Sequence, residues 1–132
     1  METYEEYLKA PKALTIEQMH AVYCEVIEEI GGDTEAQEIY GELIDKAVEY
    51  AQIRAEWNHM SREQKMDRDP SRTAKHDSLI IHFNMLARYL KMQGKKAAWR
   101  EQLGDEKEDG YNRKRIGDFA CYLVFLQAIN AR

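Results

Sequence analysis

Two pairs of carboxylates stand at helical spacing in the first third of the chain. Glu25-Val26-Ile27-Glu28 and Glu42-Leu43-Ile44-Asp45 each set two acids three residues apart, so on a helix each pair shares a face. Four oxygen donors of this kind suit magnesium, which takes oxygen ligands and bridges phosphates. A second set is basic: Arg88, Lys91, Lys95, Lys96 and Arg100, with Trp99 among them and no acid between Ser78 and Arg100. Cations beside an aromatic ring suit an acidic partner, either nucleic acid or an acidic protein surface. A third set joins histidine to thiol. His20 and Cys24 are four residues apart, and Asp118 and Cys121 three, a donor set for zinc if their helices adjoin.

The ExxE and ExxD pairs resemble the signature of the MazG-type, all-helical nucleoside triphosphate pyrophosphatases over roughly residues 16–57. The resemblance implies that Glu25, Glu28, Glu42 and Asp45 hold magnesium, which in turn holds a triphosphate. Read from spacing alone, the pairs sit apart. The Gly31–Asp33 connection is short, so the flanking helices run antiparallel and Glu25 and Glu28 face residues 36–39. At a rise of ~1.5 Å per residue, the pairs are then offset by roughly 9 Å. The dipeptide His76-Asp77, with His59 before it and Asp118 after, is similar to that of the metal-dependent HD-type phosphohydrolases. Only 17 residues separate His59 from His76, too few for the helices that space such ligands, so His76 reads as a boundary histidine. No Gly-x-Ser-x-Gly elbow, Gly-rich phosphate loop or oriented Cys–His pair is present.

Helix signals position these residues throughout. Thr3-Tyr4-Glu5-Glu6 and Thr15-Ile16-Glu17-Gln18 have the capping-box form, the first opening a short helix that ends before Pro11. Ile16, Met19, Tyr23, Val26, Ile27 and Ile30 recur at helical steps up to Gly31-Gly32. Thr34 opens the next helix, whose stripe of Ile39, Tyr40, Leu43, Ile44, Ala47 and Ala51 opposes an acidic face of Glu38, Glu42, Asp45 and Glu49. The polar stretch from Asn58 to Arg72, with Asp69-Pro70 inside it, reads as a break holding one short turn capped at Ser61. Ser71 then caps a long helix with Leu79, Ile80, Phe83, Leu86, Ala87 and Leu90 on its apolar face, stopped at Gly94. A short helix over Ala97–Leu103 follows, then an acidic loop, and Asn112 caps the last helix. Phe119 to Leu126 is apolar throughout and reads as the central helix of a bundle, or as part of a dimer interface.

The expectation is a single all-α domain over residues 1–132, a compact bundle of about four main helices plus one or two short ones. Two cysteines in apolar runs read as reduced, buried thiols in a cytoplasmic protein. No apolar run is long enough to span a membrane, and the acidic first residues do not resemble a secretory signal. Charge is segregated: residues 1–53 carry 3 bases against 13 acids, and residues 54–132 carry 16 against 11. Such asymmetry marks a partner surface, or two halves that pack against each other. The sequence therefore predicts a small non-catalytic binding or regulatory module that needs no cofactor and acts through a macromolecular partner, with a homodimer as one form. A magnesium-dependent pyrophosphatase is the alternative.

Overall fold

The computed structural model describes Lys9 and residues 12–57, 59–104 and 110–130, with side chains of the last stretch described over 114–129. Five helices account for nearly all of it: α1 (Ile16–Ile30), α2 (Thr34–Trp57), α3 (Arg62–Met92), α4 (Trp99–Gln102) and α5 (Gly110–Asn130). No strand occurs among the described residues. The first short helix and the acidic loop expected from sequence lie outside the described residues.

Each helix starts and stops for a local reason. The Thr15 hydroxyl accepts from Gln18 N–H and the Gln18 side chain returns to Thr15 N–H, a complete capping box for α1. Gly32, at φ 76°, makes the reversal that L side chains resist. The cap of α2 is Asp33 rather than Thr34: its Oδ1 accepts from Ala36 N–H at 3.0 Å. This bond, and a second partner in the Tyr89 hydroxyl, hold the Asp33 carboxyl below its usual range.

Helix α3 departs most from the sequence reading. It starts at Ser61, which forms a full capping box with Gln64, and continues unbroken through Pro70 and Ser71. The expected break is therefore present only at 59–61, with the cap at Ser61 as expected; its extension to Arg72 and the cap at Ser71 are wrong. Proline removes one backbone donor, but Met66 to Ser71 are all exposed, so water can satisfy the carbonyl that loses its partner. Likewise α5 already includes Asn112, which is not its cap.

Helices α2 and α3 pack against each other, and α5 packs against both. Phe119 to Val124 of α5 are all buried, and Phe119 stacks near Phe83 of α3 with ring centroids 5.9 Å apart. Burying aromatic and aliphatic side chains at about 1.5–3 kcal/mol each makes this seam a substantial source of stability. The apolar face predicted for α3 is buried at Leu79, Phe83, Leu86, Ala87 and Leu90, with Ile80 at its edge.

Candidate functional site

The basic segment divides into two parts on folding. Gly94, at φ 84°, ends α3, and Lys95 N–H caps it by donating to Leu90 O at 2.9 Å. The chain then turns inward. Trp99 is fully buried against Phe83, and its Nε1–H donates to Glu29 Oε1 at 2.7 Å. Arg100 is 4% exposed; its Nε–H donates to Asn84 Oδ1 and its Nη1–H to Gly104 O. Trp99 and Arg100 thus belong to the interior, which corrects their assignment to a partner-binding surface. An indole that can bury its ring and still pair its N–H gains more inside than at the surface. Arg88, Lys91, Lys95 and Lys96 do stay exposed.

The four carboxylates are not brought together. Glu25 and Glu28 line a cleft of about 440 Å³ together with Glu29, and across it stand Gly94, Lys95, Lys96 and Ala98. Glu42 and Asp45 are exposed on the opposite, acidic face of α2, as its periodicity predicts. No group of three or more His, Cys, Asp or Glu side chains among the described residues can hold a metal ion. The acids of α1 therefore face two of the bases of the second half, so part of the charge asymmetry closes within the molecule.

The histidine–thiol set separates as well. His20 Nδ1 lies 2.8 Å from the Tyr122 hydroxyl. Cys24 is exposed, not buried as expected, while Cys121 is buried, and both are free thiols. Asp118, fully buried, accepts from Arg54 Nη2 and from Ala13 N–H. His76 is buried at 7% exposure, in edge contact with Tyr50.

Two features escaped the sequence reading. The first is the outer face of α3, where Ile81 is 56% exposed, Met85 41% and Met92 81%, with exposed Arg88 between the methionines. Their steps of four, three and four were visible, but they fall opposite the face that the core residues marked. The second is a polar cluster where α2, α3 and α5 meet. Arg54 bridges Asp118 and reaches Cys121 Sγ at 3.8 Å. Arg72 lies over the Trp57 ring at 4.7 Å. Burial raises the Tyr50 phenol pKa, opposed by the nearby Arg54 and Arg72 guanidinium groups. For Arg54, burial works against the charge, and the neighbouring Cys121, Tyr50 and Asp118 more than offset it. No sequence signal joins positions so far apart in the chain.

No protein family matches the chain, and no curated protein or solved structure is significantly similar to it.

Proposed function

We propose that this chain is a small non-catalytic binding module that acts through an acidic protein partner docked on the outer face of α3. The supporting observation is the exposed strip of Ile81, Met85 and Met92, with Arg88 in its line and Lys91 beside it. Unbranched, polarizable methionines adapt to a partner's contour, and exposed apolar side chains in a row gain by being covered. Bases alone would suit nucleic acid equally well. The apolar strip favours a partner that offers an apolar stripe edged with acids, such as an amphipathic helix.

A second copy of this chain offers acids at Glu38, Glu42, Asp45 and Glu49, all exposed on α2, but without apolar residues exposed between them. A heterologous acidic protein is the better fit. The reading places the protein in the cytoplasm, where its two free thiols stay reduced. No described helix is long and apolar enough to cross a membrane.

The test is titration of the full chain with an acidic amphipathic helical peptide, a polyglutamate peptide and a short duplex oligonucleotide, each at low and high salt. Selective binding of the amphipathic peptide is expected, weaker at high salt and lost when Met85 and Met92 become Gln and Arg88 becomes Glu. Equal binding by that triple variant, preference for the duplex, or a dimer in sedimentation that occupies this face would overturn the proposal.

A further inference from the structure

We propose that Arg72, laid on the Trp57 ring, and the recessed Arg54 form a receptor for the phosphoryl group of a small phosphate monoester where α2, α3 and α5 meet. This site is separate from the outer face of α3: it occupies the N-terminal half of that helix and its inward side.

Stacking at 4.7 Å fixes the plane of the Arg72 guanidinium before any ligand arrives, leaving its N–H edge free to donate. A pre-organised fork of that kind matches the oxygens of a phosphoryl group. The Arg72 Nε–H is buried from water and meets no acceptor among the described residues. Buried donors are ordinarily satisfied, and a bound oxyanion would supply what this one lacks.

The surroundings have the matching charge. Lys75 follows Arg72 by one turn on the same helix face and is half-buried. Arg54 comes from α2 with 21% of its side chain exposed, one Nη donating to Asp118 and the other to Cys121 Sγ at 3.8 Å, each keeping a second N–H. Arg54 is paired with Asp118, so the charge left for a ligand comes from Arg72 and Lys75, neither of which forms an ion pair among the described residues. Glu56, exposed at the rim, is already engaged by Arg68 at 3.1 Å. Tyr50 and His76 close the inner side, their rings 5.3 Å apart, and add hydrogen-bonding groups. At Gly117 the α5 backbone comes so close that an added Cβ would lie 2.7 Å from the Tyr50 hydroxyl.

The same geometry selects the ligand class. The cations are recessed between helices, not spread along a ridge, so they suit a terminal dianionic phosphoryl group better than the phosphodiester backbone of a nucleic acid. A carboxylate would use one arginine fork but could not reach a second cation as well as three phosphoryl oxygens can.

The full chain would be titrated with inorganic phosphate, glycerol 3-phosphate and dimethyl phosphate, with ionic strength held by chloride. Binding would be read by Trp57 emission and independently by calorimetry, with Trp57→Phe supplying the Trp99 background. Saturable binding of inorganic phosphate and glycerol 3-phosphate is expected, with dimethyl phosphate at least tenfold weaker. Arg72→Gln should weaken binding at least tenfold with an unchanged circular dichroism spectrum, while Arg88→Gln should leave it unchanged. Should Arg72→Gln fail to fold, Lys75→Gln decides, with a severalfold loss expected. Absence of saturable binding, equal binding by the Arg72 or Lys75 variant, or equal binding of the diester overturns the proposal.

Discussion

Glu29 holds Trp99: its Oε1 accepts the indole N–H at 2.7 Å while its Oε2 accepts the Ala97 N–H at 3.1 Å. One carboxylate of α1 thereby ties down the whole connection after α3. Ala97 sits there at φ 47°, a left-handed conformation that alanine adopts only when its surroundings hold it. The acid that holds this connection is thus the one next to Glu28, a magnesium ligand in the alternative sequence reading, and its role is to satisfy buried donors.

Replacing Glu29 with Ala leaves the Trp99 and Ala97 donors unpaired. We expect a loss of about 2–3 kcal/mol in urea denaturation, because a buried unpaired donor costs its full desolvation. Glu28→Ala, at an exposed neighbouring position, should change stability by less than about 0.5 kcal/mol. Equal effects of the two would show that the Glu29 contacts do not hold the connection.

Asp118 is fully buried and serves both Arg54 and Ala13 N–H. Asp118→Ala should destabilise by about 3–5 kcal/mol, since it strands a largely buried cation. Asp118→Asn keeps one acceptor and should cost less. A melting temperature for Asp118→Ala within a few degrees of the parent would refute the pairing as a structural requirement.

Gly117 is required by Tyr50. A methyl at 117 would approach the Tyr50 hydroxyl to 2.7 Å and its ring to 3.2 Å. Gly117→Ala is therefore predicted to cost about 1–3 kcal/mol despite the better helix propensity of alanine. Combining it with Tyr50→Phe should recover part of that loss, as a double-mutant cycle would reveal.

Alkaline pH should unfold the protein through its buried tyrosines. Burial pushes the Tyr40 phenol up from its ordinary 10.0 to about 12, with Tyr23 adding to the shift. A folded-state pKa raised in this way gives stability that is fully present below the unfolded value. That stability is lost as pH rises from about 10 toward 12. Melting temperatures followed over that range should fall, and less steeply for Tyr40→Phe. Parallel curves for the two proteins would contradict the assignment.

Much of the architecture was legible locally. The capping box at Thr15, a cap at Ser61, the glycine stops at Gly32 and Gly94, and the buried faces of α2 and α3 all depend on residues within a turn or two of each other. The acidic face of α2, including Glu42 and Asp45, was legible for the same reason. Where local signals competed, the reading failed. Pro70 and a run of polar residues looked like a break, yet an exposed helix anchored by its own cap and by the Leu79–Leu90 face continues through them.

The site residues were less legible, because their roles depend on which helices meet. Nothing near Trp99 in sequence marks it as buried; the decision comes from Glu29, 70 residues away. Arg54 and Asp118 are 64 residues apart, and only the packing of α5 on α2 makes them a pair. Helical periodicity assigns a residue to a face without telling what that face meets. Sequence by itself thus determined the all-helical class and most inward faces, since hydrogen bonding and side-chain spacing along a helix are short-range. Tertiary structure alone decided which charges are solvated and which are paired, because desolvation and Coulomb attraction depend on neighbours that only packing supplies.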